Sequence, residues 1–130
     1  TFYIYQNLIS GPIPKELGNL KNLQILDLSY NKLTGSIPSA LGLLTNLQGL
    51  GLSSNNITGS IPDNFTSLHN LTVLYLNSNQ LNGSIPIEIG NMKSLTYLNL
   101  SNKNIVGSIP IELANCSSLA NLSFKSQLLK

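Results

Sequence analysis

The sequence has few side chains that could act as nucleophiles or metal ligands. It contains one histidine, His69, and one cysteine, Cys116, at positions with no shared motif. A zinc site needs three or four ligands, and a Cys–His catalytic pair needs a base beside the thiol and a third group to orient that base. The sequence therefore predicts no metal site and no thiol catalysis, and a single thiol cannot form an internal disulfide.

The carboxylates give no catalytic pattern either. Three of them recur in one segment of the chain, as PKEL or PIEI/PIEL, and are most simply solvated charges: Glu16, Glu88 and Glu112. Paired-acid hydrolysis needs two facing carboxylates. No P-loop, G-x-G-x-x-G or kinase catalytic-loop string is present. We expect no enzyme activity in this chain and no cofactor.

Charge and hydropathy exclude two further classes of partner. The net charge of +2 is the balance of seven scattered lysines and five acidic residues, and there is no arginine, so no basic stripe for nucleic acid exists. No stretch approaches the roughly 20 apolar residues that cross a bilayer, so we expect no membrane contact by this segment. Charged residues are only 9% of the chain, and the polar remainder, rich in Asn and Ser, suits a secreted and glycosylated surface.

Seven N-x-S/T sequons support the secretory route. Five are glycosylation candidates: Asn56, Asn64, Asn70, Asn82 and Asn115. The other two, Asn99 and Asn121, fall within predicted strands and would place a glycan on the surface proposed below for binding.

An internal repeat organises the whole chain. A shift of 24 residues aligns IPKELGNL, IPSALGLL, IPDNFTSL, IPIEIGNM and IPIELANC. Two apolar columns separated by one variable residue predict a short strand with one buried face. The first column is Phe2, Leu26, Leu50, Leu74, Leu98 and Leu122, and the second is Ile4, Leu28, Leu52, Leu76, Leu100 and Phe124.

After each strand, glycine and Ile-Pro recur and predict how the chain turns back. The glycines are Gly11, Gly35, Gly59, Gly83 and Gly107, and a proline follows each isoleucine at 14, 38, 62, 86 and 110. Glycine permits backbone angles closed to other residues, and proline fixes φ, so we expect extended or 3₁₀ conformation here and no long α-helix. Further apolar columns, one of which ends at Cys116, complete a shared core, and His69 falls on a polar turn.

An asparagine column lies between strand and turn, and we call it the amide ladder: Asn7, Asn31, Asn55 and Asn79. An amide both donates and accepts, so it can pair backbone groups that the bend leaves open. The next member is Lys103, which cannot accept a hydrogen bond. We expect Lys103 to point outward or the local turn to shift, because a buried ammonium is costly.

The variable strand positions point away from the core and form the candidate binding surface. We predict a central patch of Val73, Tyr75, Tyr97 and Asn99, in which tyrosines could anchor a partner. A weaker N-terminal patch comprises Tyr3, Tyr5 and Asp27. The alternative is that these tyrosines lie on the β surface only because tyrosine has a high strand propensity. Gly49 and Gly51 either expose backbone to a ligand or reflect a repeat without contacts.

These motifs, LDLSYNKLTGSIPSALGLL and LGLSSNNITGSIPDNFTSL, resemble the plant-specific leucine-rich repeats over the whole chain. The resemblance implies an α/β-type repeat solenoid of about five 24-residue repeats. This would be a right-handed superhelix with a parallel concave β-sheet and convex arms of 3₁₀ turns and short strands. Residues 1–130 would form one leucine-rich repeat segment, uncapped at both ends because the family's paired-cysteine caps are missing, and therefore a fragment.

The resemblance also implies a function. Similar repeats form ectodomains of plant receptor-like kinases and receptor-like proteins, which lie outside the cell and bind peptide or protein ligands, often with a leucine-rich repeat co-receptor. Any kinase activity would reside in a domain absent from this chain. The alternative is a secreted inhibitor of a cell-wall-degrading enzyme, similar to polygalacturonase inhibitors. Ranks of Thr or Asn, as in ice-binding repeats, are not present.

Overall fold

The computed structural model describes residues 1–4 and 6–124, so Tyr5 and residues 125–130 lie outside the description. In chain order the elements are β1 (Phe2–Tyr3), β2 (Ser10–Pro12), 3₁₀ helix η1 (Lys15–Asn19), β3 (Ile25–Asp27), β4 (Lys32–Thr34), η2 (Ser39–Leu43), β5 (Gly49–Gly51), η3 (Asp63–Ser67), β6 (Val73–Tyr75), β7 (Asn82–Gly83), η4 (Ile87–Asn91), β8 (Tyr97–Asn99), β9 (Asn104–Ile105), η5 (Ile111–Asn115) and β10 (Asn121–Ser123).

Each 24-residue repeat forms one coil of the solenoid. One strand from each coil joins a six-stranded parallel sheet in the order β1-β3-β5-β6-β8-β10. Each residue pairs with the one 24 positions later, as in Leu26 with Leu50 and Leu74 with Leu98. Because the pairing offset equals the sequence period, identical side chains stack in columns. The predicted solenoid and its parallel sheet are confirmed.

The stacked columns form one continuous core. Leu26, Leu50, Leu74 and Leu98 are all at most 2% exposed, and Phe65 occupies the slot filled by Leu41 in the preceding coil. Burial of a large apolar side chain contributes about 1.5–3 kcal/mol, so each coil is stabilised mainly by its two neighbours.

The same columns are only half-buried in the outermost coils. Four residues whose equivalents in the inner coils are buried are themselves 41–45% exposed: Ile9, Leu20, Ile109 and Leu122. These residues have a neighbouring coil on one side only. The columns therefore predict burial correctly in the inner coils and overestimate it at the ends.

The proline of each of the five Ile-Pro pairs immediately precedes a 3₁₀ helix of five residues. The prolines have φ near −61 to −65° and extended ψ, and the N–H that closes each helix bonds a carbonyl three residues back, as from Leu44 to Leu41. All helical segments in residues 1–4 and 6–124 are of this type, and none has the length and apolarity to span a membrane.

The arms that follow the strands of the long sheet also pair, in short stretches. β2 pairs with β4, β7 pairs with β9, and an isolated bridge joins Ser36 to Thr58. Here the pairing offset is 22 residues, which the period of 24 does not reveal. The glycine column of these arms has φ between +73° and +88°, a region that glycine enters without steric cost.

Candidate ligand-binding surface

The outward side chains of the six-stranded sheet form a continuous surface, which we call the sheet face. Strand register places Val73 beside Tyr97, and Tyr75 beside Asn99. The two tyrosines are therefore diagonal neighbours on adjacent strands, and they are 40% and 41% exposed. The four residues of the predicted central patch are thus brought together.

A shallow cleft of about 350 Å³ opens on this part of the sheet face. Tyr75, Tyr97, Leu98, Asn99, Asn121, Leu122 and Ser123 line this central cleft. The rings supply apolar area with a polar tip, and the amide and hydroxyl groups supply donors and acceptors. Such a mixture can bury an aromatic or apolar side chain while satisfying the polar groups of an extended backbone.

The N-terminal patch continues the same row of residues. Tyr3 pairs with Asp27, Asp27 with Gly51, and Gly51 with Tyr75. Tyr3 is 57% exposed and Asp27 is partly buried. Tyr5, the third member predicted for this patch, lies outside the described residues.

Gly51 does not expose its backbone, and that interpretation of the glycine is wrong. It is buried, and a Cβ at this position would lie 2.6 Å from Oδ1 of Asp27 and 3.0 Å from Oγ of Ser29. The carboxylate of Asp27 therefore leans over Gly51, and the same Oδ1 accepts a hydrogen bond of 3.0 Å from the backbone N–H of Ser29.

A further column of positions, which contains Ser29 and Ser53 and follows the strands of the long sheet, is partly structural. Ser29 and Ser53 are 7% and 6% exposed, so they do not form a binding surface. The N–H of Ser53 donates to Oγ of Ser29 over 3.2 Å, and Oγ of Ser53 donates to Oδ1 of Asn77 over 2.8 Å. Small hydroxyl side chains at this edge bond neighbouring coils to each other.

The amide ladder fills the bends of the inner coils. Nδ2 of Asn55 donates to the carbonyls of Leu28, Leu52 and Ser53 over 3.1–3.3 Å, and its Oδ1 accepts from the N–H of Leu33 over 3.0 Å. Asn31 and Asn79 repeat this pattern one coil away on either side. Asn7 occupies the same column in an exposed position.

In the fifth coil the ladder moves one residue earlier. Asn102 is 2% exposed, and its Nδ2 donates to the carbonyls of Leu76 and Leu100 over 3.0 and 3.2 Å. Its Oδ1 accepts from the N–H of Asn79 over 3.1 Å, whereas Lys103 is exposed. Both expectations for this turn, an outward lysine and a local shift, are confirmed.

The shift has a backbone signature. The column of Asn102 is left-handed in the preceding coils, with φ of +59° at Gln6, +58° at Tyr30, +56° at Ser54 and +58° at Ser78. Asn102 is not in that region. Its side chain therefore turns inward at a position where the earlier coils direct a side chain outward.

A second set of polar contacts was missed at the sequence level. Nδ2 of Asn46 donates to the carbonyl of Lys21, and Nδ2 of Asn70 donates to that of Thr45, both over 2.9 Å. The Lys93 ammonium donates to the carbonyls of Gly90 and Asn115 over 2.8 and 2.7 Å. The recurrence of Asn at 22, 46 and 70 was the available signal.

The residues that could act as nucleophiles or metal ligands are spread apart. Cys116 is buried and its thiol donates to the carbonyl of Ile89 over 3.1 Å. Burial raises the pKa of this thiol above its usual range, against a smaller opposing effect of the Lys93 ammonium. His69 is exposed. Within the described ranges, no three His, Cys, Asp or Glu side chains are grouped to hold a metal.

The five glycosylation candidates differ in exposure. Asn56, Asn70, Asn82 and Asn115 are exposed, whereas Asn64 is partly buried. Nδ2 of Asn64, the atom that would carry a glycan, donates to the carbonyl of Ser39 over 2.7 Å. Its amide packs where a Cβ of Gly42 would otherwise be, so this sequon has an evident structural role.

Comparison with known proteins gives consistent results. Residues 5–124 match the family described as a leucine-rich repeat region. The crystal structure of the leucine-rich repeat ectodomain of the receptor kinase SOBIR1 from Arabidopsis thaliana is 31% identical with a TM-score of 0.90, covering 96% of this chain and 68% of that one. No curated protein sequence matches significantly.

Two complexes are also similar over nearly the whole chain. The Arabidopsis receptor kinase HAESA, solved with the peptide hormone IDA and the co-receptor SERK1, is 32% identical with a TM-score of 0.92, covering 96% of this chain and 21% of that one. The ectodomain of GASSHO1/SCHENGEN3 from Arabidopsis thaliana, solved with CASPARIAN STRIP INTEGRITY FACTOR 2, is 36% identical with a TM-score of 0.76. The match covers 98% of this chain and 18% of that one.

The chain thus spans about two thirds of the SOBIR1 ectodomain and about a fifth of the other two. The repeat period, the stacked parallel strands and these matches agree. The chain belongs to the leucine-rich repeat family, in the group that includes ectodomains of plant receptor kinases.

Proposed function

We propose that this chain is part of the extracellular recognition surface of a plant leucine-rich repeat receptor kinase or receptor-like protein. The sheet face would bind an extended peptide or a protein loop, with the central cleft as the anchoring point. The observation that carries the proposal is the pair of half-exposed rings of Tyr75 and Tyr97 beside Asn99 and Asn121 in one cleft.

The similar structures support a peptide or protein as the class of ligand. RGFR1 was solved with RGF2, and HAESA with IDA and SERK1. Each of those proteins is much longer than this chain. That the coils of this chain contact such a ligand is therefore part of the proposal. A co-receptor with the same fold is a second possible partner. The mechanism is recognition without bond formation.

The size of the sheet face limits the length of ligand that the chain can hold. Six strands at about 4.8 Å spacing span roughly 24 Å, the length of about seven extended residues. A phage library of linear seven-residue peptides, selected on the immobilised 130-residue chain, is therefore a suitable probe. We expect enrichment of peptides that carry an aromatic or large apolar residue for the central cleft.

The test compares the enriched peptides on three proteins. The double variant Tyr75→Ala/Tyr97→Ala should weaken binding at least about tenfold, since buried aromatic anchors contribute most of an interface's affinity. The control is Tyr30→Ala, which removes a tyrosine that is 59% exposed and outside the central cleft. Equal affinity for the double variant and the wild type, or no enrichment at all, would reject the proposal.

A further inference from the structure

Strand β5 interrupts the row of large side chains on the sheet face. Its outward positions are Gly49 and Gly51, between Ile25 and Asp27 on one side and Val73 and Tyr75 on the other. In the row that contains Gly51, the flanking strands therefore present a carboxylate and a phenol ring. Because Gly51 has no side chain, the carboxylate of Asp27 extends over it toward strand β6, which carries Tyr75.

The carboxylate in this row is held in place before any ligand arrives. Oδ1 of Asp27 accepts from the N–H of Ser29 over 3.0 Å, and it lies where a Cβ of residue 51 would be. Ser29 is itself fixed, because its Oγ accepts from the N–H of Ser53 over 3.2 Å. A carboxylate oriented in this way loses little entropy when it binds a donor.

Charge indicates the kind of donor. Within the described residues, the outward strand positions of the sheet face carry one ionisable acid, Asp27, and no lysine. A ligand that covers this row must either pair the carboxylate or leave a charge without a partner, which is costly. The ring of Tyr75, on the strand next to Gly51, offers a second favourable contact for a cation.

We infer that the Asp27 carboxylate, which lies over Gly51, and the adjacent ring of Tyr75 together form a subsite for a lysine or arginine side chain of the peptide ligand. The cationic group bonds the Asp27 carboxylate, and the stem of the side chain lies toward Tyr75. The peptide then continues to the central cleft on the next strands. This inference rests on the proposed function, since it names the ligand group that the same surface selects.

The first test uses the seven-residue peptide library on the wild type and on Asp27→Asn. The amide keeps an oxygen that can accept from Ser29, so the variant removes charge with little change in shape. We expect the wild type to enrich lysine or arginine at one position, two or three residues from the aromatic anchor. We expect Asp27→Asn to lose that preference while it keeps the preference for the anchor.

A matched pair of glycine variants tests the position of the carboxylate. In Gly51→Ala the new Cβ displaces the Asp27 side chain, whereas in Gly49→Ala the Cβ meets only Ile25, at 3.8 Å, an ordinary contact. Gly51→Ala should weaken binding of the enriched basic peptide about tenfold, as expected for loss of one charged hydrogen bond, and Gly49→Ala should not. Thermal melts of both variants verify that they fold.

Replacement of the basic residue by glutamine in the peptide completes a double-mutant cycle with Asp27→Asn. The two changes should be non-additive if the groups touch. Additive effects, or binding of the basic peptide unchanged by Asp27→Asn, would overturn this inference while leaving the dependence on Tyr75 and Tyr97 intact. If no peptide is enriched, or if the tyrosine variant binds normally, the proposed function fails and the subsite fails with it.

Discussion

At the scale of single residues, amides rather than ions stabilise the coil interior. Asn55 pairs four backbone groups from two successive coils, and its hydrogen bonds are all 3.0–3.3 Å long. An amide does this without the desolvation cost of a charge, because both its donor and its acceptor find partners. Where the column has lysine, a neighbouring asparagine takes over that role.

Substitution in the fifth coil tests this exchange. Asn102→Ala should lower the free energy of unfolding by about 2–3 kcal/mol, because it leaves buried carbonyl and N–H groups without partners. Lys103→Ala should change it by about 0.5 kcal/mol or less, as is usual for exposed positions. Urea denaturation followed by circular dichroism measures both values. A larger loss for Lys103→Ala than for Asn102→Ala would show that the lysine column still carries the ladder.

At the scale of elements, two pairs of 3₁₀ helices, η1 with η2 and η4 with η5, stack so closely that glycine is required between them. A Cβ at Gly90 would lie 2.6 Å from the carbonyl oxygen of Glu112 on the next helix, and one at Gly18 would lie 2.5 Å from that of Ala40. The obstacle is backbone, which cannot rotate away as a side chain can. In these two pairs the spacing of adjacent coils is therefore set by glycine, whereas η3 has Thr66 at the same position.

Alanine at this column should separate two helices. We expect Gly90→Ala to destabilise the chain by about 1–3 kcal/mol, the usual cost of overpacking, despite the better helix propensity of alanine. Gly49→Ala is the matched control, since its Cβ has space on the sheet face. Thermal denaturation of the two variants should give a clearly lower melting temperature for Gly90→Ala only. Equal melting temperatures would mean that the helices separate without cost.

The elements also show how far the sequence was informative. Period and columns predicted the strands, their pairing partners and the 3₁₀ arms, because the same apolar slot recurs every 24 residues. They did not predict the 22-residue offset of β2 and β4, nor the burial of Ser29. Those features depend on the path of the backbone between columns. The Asp27 conformation over Gly51 depends on two coils at once and leaves no trace in either repeat alone.

At the scale of the whole molecule, the ends of the stack differ from its centre. Leu52, Leu71 and Leu76 in the inner coils are fully buried, whereas Leu20 is 45% exposed in the first coil and Leu122 is 44% exposed in the last. The long sheet has β1 at one edge and β10 at the other in the described chain. Both edges present backbone groups and apolar side chains that can accept a further coil.

The geometry of these edges determines how isolated 130-residue chains would associate. All six strands are parallel, so a second copy continues the parallel sheet only when its β1 edge meets the β10 edge of the first. Such contacts are head-to-tail and do not close on themselves. We therefore expect weak stability and a broad thermal transition. The weight-average mass from sedimentation equilibrium should rise with concentration without a plateau at the dimer mass.

A double substitution tests this association independently of the stability of the fold. Leu20→Lys with Leu122→Lys places a charge at each end of the stack, where neither side chain belongs to the fully buried core, and should give a monomer at all concentrations with little loss in melting temperature. Sedimentation equilibrium over a hundredfold range of concentration distinguishes the two proteins. A wild-type chain that remains monomeric and melts sharply would contradict the prediction, since its end coils would then be stable without a neighbour. A plateau at the dimer mass would contradict it differently, because it would indicate a closed symmetric contact, such as β10 against β10 in antiparallel orientation, in place of head-to-tail stacking.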